Sequence, residues 1–105
     1  MRYGLHGRLT ARPGKRDEVV ALLMGDGDEL RDAGCDLYMV SLAPDHPDVI
    51  LVTEVWTSKD AHRASLQLPS VKAAIARAMP LLTGEFGGEE LQVVGGLGVP
   101  ERPAS

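Results

Sequence analysis

Ile50-Leu51-Val52-Thr53-Glu54-Val55-Trp56 is an apolar, β-branched run that ends on the only tryptophan of the chain. A helix-start signal follows at once in Thr57-Ser58-Lys59-Asp60-Ala61-His62. This is a strand running straight into a helix. Trp56 then sits at the strand end, facing whatever the helix covers, and His62 lies about one and a half turns into that helix. The pair fits two readings. Trp56 is either a pocket wall or ordinary core, and His62 either lines that pocket or stands on a solvated helix face.

The rest of the chain alternates between the two periods. Tyr3, Leu5, Gly7 and Leu9 share one strand face, with Gly4, His6, Arg8 and Thr10 on the other, and Arg12-Pro13-Gly14 ends the strand. From Lys15 the spacing becomes helical, with Val19, Leu22, Leu23 and Leu30 on one stripe. Gly25 and Gly27 flank Asp26 and predict a weak point over Met24–Asp28, since each glycine costs a helix roughly 1 kcal/mol relative to Ala. Ala33-Gly34 supplies a C-cap. Asp36–Leu42 is a second strand, and the turn-rich Ala43–Asp48 leads to a third, Val49–Trp56. Ser58 caps a helix to about Leu66. A further amphipathic segment carries Val71, Ala74, Ile75, Ala78 and Met79 on one side and stops at Pro80. Glu89–Val94 is the last strand.

The order β-α-β-β-α-(α)-β is the split-βαβ, ferredoxin-like α+β arrangement, expected to be a single domain over residues 1–96 with a loosely held tail over 97–105. Helices cover one sheet face. The other, assigned residues such as Val40, has none left, and an uncovered apolar face implies a second copy and hence a homodimer.

Charge and cysteine usage exclude several classes. Of 105 residues, 11 are Lys or Arg and 15 Asp or Glu, for a net charge of −4 with the basic residues scattered. No footprint for nucleic acid or anionic lipid results. The single cysteine, Cys35, cannot close an internal disulfide and reads as a small buried apolar residue; no apolar run approaches transmembrane length. A cytoplasmic location is expected. His6, His46 and His62 are too dispersed to form a metal-ligand set. His6 points to the opposite sheet face, and Tyr38 takes either face depending on register. The pairs Gly87-Gly88 and Gly95-Gly96 lack the strand-to-helix setting of a phosphate loop.

Arg8-Leu9-Thr10 running into Pro13-Gly14-Lys15, the Tyr38 strand, Thr53-Glu54-Val55-Trp56 with Asp60-Ala61-His62, and the late strand at Glu90-Leu91 follow one another at a spacing that resembles the antibiotic biosynthesis monooxygenase (ABM) family of dimeric α/β barrels. The resemblance covers roughly residues 3–95. It implies two copies with their sheets face to face and a pocket in each between sheet and helices. Family members include cofactor-free oxygenases of quinols or anthrone-type polyphenols and haem-degrading enzymes.

Set against the haem-degrading branch, the asparagine position falls on Gly7 and the iron-ligating histidine on Ser65 or Leu66, none of which supplies an imidazole. Set against the polyphenol-oxidising branch, Trp56 matches, an asparagine is replaced by Val52, and a tyrosine by His62. The expectation is therefore a cofactor-independent monooxygenase acting on a small aromatic substrate with O2, with no metal. Trp56 and His62 would be the catalytic pair, and Trp56, Val52, Ser65, Leu66 and Gly7 would bind substrate. His62, Ser65 and Leu66 share one helix face by their spacing. The alternative is a non-catalytic module that binds a small aromatic, or a purely structural dimer.

Overall fold

The computed structural model describes residues 1–99; residues 100–105, most of the expected tail, lie outside the described residues. Four antiparallel strands form one sheet: β1 (Arg2–Ala11), β2 (Cys35–Leu42), β3 (Val49–Trp56) and β4 (Leu82–Val93), in spatial order β2-β3-β1-β4. The helices are α1 (Arg16–Leu23), α2 (Gly27–Asp32), α3 (Lys59–Ser65) and α4 (Pro69–Ala78), with a short 3-10 turn at Met79–Leu81 before β4. The ferredoxin-like α+β arrangement expected from the pattern is the one observed.

The register follows the alternation. Tyr3, Leu5, Gly7 and Leu9 stand opposite Trp56, Glu54, Val52 and Ile50, and on the other side of β3, Tyr38, Val40 and Leu42 stand opposite Glu54, Val52 and Ile50. Because side chains alternate across a strand, these residues share the helix-covered face. Val19 from α1, Ile50, Val52, Ala11 and Leu82 form the buried core there. An extra residue on β2 at Asp36 makes a bulge between Cys35 and Leu37, where Arg2 Nε approaches Asp36 Oδ2 at 3.2 Å.

Three expectations need correction. Val40 does not lie on the helix-free face; it is paired with Val52 and packs on the core. The helix-free face instead carries Met39, opposite Thr53, and Leu37, opposite Val55, together with His6, whose Nδ1 meets Thr53 Oγ1 at 3.2 Å. The helix expected to run on from Lys15 is two helices. Asp26 leaves helical geometry and caps α2, its carboxylate accepting from the N–H groups of Asp28 at 3.0 Å and Glu29 at 3.2 Å. A side chain that satisfies two first-turn donors starts a helix more effectively than it continues one.

The last strand begins at Leu82 rather than Glu89. Glycines at 84, 87 and 88 erase the hydrophobic alternation by which the segment would have read as a strand. Gly88 is required where it stands: it faces Gly7 across the ladder with φ +141°, and a Cβ there would lie 2.4 Å from the His6 carbonyl oxygen.

Candidate functional site

The β3-to-α3 junction sets the geometry. Ser58 is extended and accepts the Ala61 N–H on its hydroxyl at 3.0 Å, which starts α3 two residues after the strand ends. At Ala33-Gly34, Gly34 takes φ +106° and its carbonyl receives the Thr57 N–H at 2.9 Å. The end of β3 is thereby tied to the end of α2, and α3 folds back over the sheet with His62 above Trp56.

Glu54 and Trp56 are two apart on β3 and project from the same face. Glu54 Oε1 accepts the Trp56 indole N–H at 3.0 Å. His62 Nε2 stands 4.0 Å from that same oxygen. The imidazole packs edge-on to Trp56, with ring centroids 5.5 Å apart and planes at 66°, and is tilted against Tyr3 at 5.7 Å. Its own turn is pinned by Ser65, buried, whose hydroxyl donates to the His62 carbonyl at 2.6 Å. Carboxylate, indole and imidazole are therefore locked together by rigid elements rather than carried on loops.

These groups border a cavity of about 340 Å³ between the sheet and the helices. Its walls are mostly aliphatic, with Leu9 from β1, Leu22 from α1, Leu30 from α2, Val71 and Ile75 from α4, and Phe86 from β4. Polar groups gather in two places. Glu54, His62 and Tyr38 lie on the sheet side, and Asp26 and Ser70, both exposed, form the rim with the half-buried Glu29. At the rim the Ser70 hydroxyl donates to the Glu29 carboxylate, joining α4 to α2.

Electrostatics follow from this placement. Burial, and then the charge of Glu54 across the strand pair, push the Tyr38 phenol up to about 12. Burial likewise pushes the Cys35 thiol up to about 11, so it stays protonated at neutral pH, with its Sγ donating to the Leu37 carbonyl at 3.2 Å. Outside the cavity, Lys59 Nζ binds Glu90 Oε2 at 2.9 Å and holds that carboxyl below its ordinary range. Among the described residues, no group of three or more His, Cys, Asp or Glu side chains is placed to hold a metal ion, and no helix is long and apolar enough to cross a membrane.

Of the residues singled out from sequence, Trp56, His62, Ser65 and Leu66 border the cavity together. Trp56 satisfies both of its readings, being 1% exposed and a cavity wall at once. His62 is on the cavity side of α3, with a side chain only 16% exposed. Val52 and Gly7 face each other on the same sheet face but do not line the cavity; Val52 lies in the core. Register puts Tyr38, whose face the sequence leaves open, on the cavity side, whereas Glu54 and Phe86 are not among the residues singled out from sequence. The two-residue period shared by Val52, Glu54 and Trp56 carried the signal for Glu54, whereas Phe86 was lost with the glycine-rich start of β4.

The profile of the family described as antibiotic biosynthesis monooxygenase matches residues 2–77. Among solved structures, a candidate antibiotic biosynthesis monooxygenase from Chloroflexus aurantiacus J-10-fl is 42% identical, with 95% of this chain and 100% of that one covered and a TM-score of 0.85. One from Deinococcus radiodurans is 27% identical, covering 94% and 99% at a TM-score of 0.74. One from Caulobacter crescentus CB15, 24% identical over 90% and 91%, shares the fold at a TM-score of 0.80. No curated protein matches. The family profile spans β1 through most of α4, including every element around the cavity except the 3-10 turn and β4, and so the chain belongs to the antibiotic biosynthesis monooxygenase family.

Proposed function

We propose that the protein is a cofactor-independent monooxygenase that oxidises a small quinol or anthrone-type polyphenol with O2. The observation that carries this reading is the Trp56–Glu54–His62 cluster at one side of an otherwise aliphatic cavity. Such chemistry asks little of a protein. A flat, electron-rich ring must be held away from water and must give up a hydroxyl proton, after which the resulting anion can pass an electron to O2. Trp56 supplies the flat wall. His62 accepts the proton, and Glu54 beside it stabilises the imidazolium.

The electron count closes without a further reductant. One ring carbon gains an oxygen atom while the substrate loses two hydrogens, a four-electron oxidation. O2 takes up those four electrons, delivering one atom to the ring and the other, with the two hydrogens, to water. Family membership and the 42% identical relative support the reaction class; the substrate class rests on the cavity's size and lining.

Two further parts belong to this proposal. The helix-free sheet face, with Met39 exposed on it, is covered by a second copy in a homodimer. The protein works in the cytoplasm, where its lone thiol stays reduced.

Oxygen uptake with a panel of hydroquinones and anthrones tests the reaction. Uptake by the native protein, cut about 100-fold in His62→Ala, is expected for a lost general base. No uptake with any of them would leave a small-aromatic binding module or a structural dimer in its place.

A further inference from the structure

Every fixed charge that borders the cavity is negative. Asp26 and Glu29 stand at the rim and Glu54 on the sheet side, and among the described lining residues there is no Lys or Arg. Of the nearby cations, Lys59 pairs with Glu90 and lies 5.9 Å from the Tyr3 ring centroid, and Arg63, exposed on α3, is not among the lining residues. The three carboxylates are not equivalent. Asp26 is spent on capping α2, and Glu29 takes the Ser70 hydroxyl. Glu54 presents one oxygen to both Trp56 and His62, and no hydrogen bond to its other oxygen occurs among the described residues.

We infer that the cavity selects an uncharged aromatic ligand whose hydroxyl group bridges Glu54 and His62, and rejects aromatic ligands bearing a carboxylate or phosphate, with Glu54 as the residue that sets this preference. The selectivity rests on the reading of the cavity as a site for a small aromatic. A hydroxyl oxygen about 2.8 Å from each partner closes a triangle whose third side is the observed 4.0 Å between Glu54 Oε1 and His62 Nε2. The bridging hydroxyl donates to the carboxylate and accepts from the Nε2–H tautomer of His62, and in turnover it turns to give its proton to Nε2 of the other tautomer; a carboxylate or phosphate monoester dianion has only acceptors to offer and meets a like charge at low dielectric. Tyr38 already reports the effect on a phenol lodged in this wall. Burial and the Glu54 charge both hold its proton on. A phenol ligand in the same place is likewise kept neutral until a base takes its proton.

The test uses two probes of matched shape, 2-naphthol and 2-naphthoate, at pH 7. The readout is the indole N–H resonance of Trp56, the only tryptophan in the chain and itself bonded to Glu54. The native protein is expected to bind 2-naphthol at least about 10-fold more tightly than 2-naphthoate. Glu54→Gln keeps an acceptor for the indole but removes the charge. It should bring the two affinities within about 3-fold, chiefly through a gain for 2-naphthoate. Glu29→Gln at the rim should leave the ratio near its native value.

Equal affinity in the native protein overturns the inference, as does an unchanged ratio in Glu54→Gln or the failure of both probes to move the resonance. If Glu54→Gln does not fold, the native ratio decides. Selective binding of 2-naphthol without oxygen uptake from any polyphenol would sink the oxygenase reading and leave the selectivity standing.

Discussion

Glu54 holds Trp56 by its only polar atom: one carboxylate oxygen accepts the indole N–H at 3.0 Å, and the same oxygen faces His62 at 4.0 Å. A strand period of two makes this possible, because residues 54 and 56 leave β3 on the same face, while the capped start of α3 brings residue 62 back over them. Neither the tryptophan nor the histidine is positioned by loop contacts, so the arrangement is as rigid as the sheet beneath it.

Trp56→Phe separates the ring from its handle. The substitution keeps a flat aromatic wall but removes the donor and leaves a small void at a site that is 1% exposed. Losing the partner of a part-buried carboxylate and creating the void should together destabilise the fold by about 1–3 kcal/mol in urea unfolding. Circular dichroism should stay native, and aromatic ligands should bind only modestly more weakly. A stability within 0.5 kcal/mol of the native protein would mean the indole–Glu54 bond adds almost nothing.

Alkaline pH should weaken the fold through Tyr38 and Cys35. Their folded values are raised to about 12 and about 11 from ordinary values of 10.0 and 9.0, mainly by burial. The sign follows directly. Below about pH 8 both groups are almost fully protonated in folded and unfolded chains alike and stability does not depend on them. As pH rises past 9 and then 10, the unfolded chain releases protons that the folded chain keeps, so stability falls, levelling only beyond the folded values. Urea midpoints measured from pH 8 to 11 should decline steadily, with Tyr38→Phe and Cys35→Ala each flattening the slope. Cys35 should also react slowly with thiol reagents at pH 8 until the chain unfolds.

Met24–Asp26 should be the looser link in the wall of the cavity. Asp26 is extended, with φ −96° and ψ 98°, and α2 beyond it is a six-residue helix held by its cap. Amide exchange at 24–26 should outpace that of α1, and equal protection throughout would refute the point. Gly27 is the first residue of α2, with nothing within 4 Å of an added Cβ and no positive φ. Gly27→Ala should therefore stabilise by up to about 1 kcal/mol, read from the urea midpoint.

The limits of the sequence as a guide are local and physical. The period switches placed all four strands in order, and Ser58 marked the start of α3 where the structure has it. Residues 15–30 carry the signature of one helix because the stripe through Val19, Leu22, Leu23 and Leu30 survives the break. What the stripe cannot convey is that Asp26 gains more by capping than by staying helical. β4 is legible only from Glu89 because a strand whose first seven residues include three glycines has no alternation to read, and its pairing with β1 reveals the rest. Glu54 is hidden for a related reason: a charge in a strand reads as outward-facing until register puts it beneath a helix. Register also decided Val40, where an error of one position moves a residue from one face to the other.

That one-residue alternation gives the sharpest test of assembly. Met39 and Val40 are neighbours on β2, yet Met39 is 48% exposed on the helix-free face while Val40 packs on the core beneath the helices. An aspartate at 39 costs a single chain little, because the site is open to water. In a dimer closed over that face, it places a charge in an apolar interface. Light scattering should give the native protein twice its 11.2 kDa mass and Met39→Asp a single 11.2 kDa species with native circular dichroism. Val40→Asp should instead unfold the chain, since its charge enters the core regardless of assembly. A native protein that scatters as a monomer at micromolar concentration, or a Met39→Asp variant that stays dimeric, would remove that face as the interface.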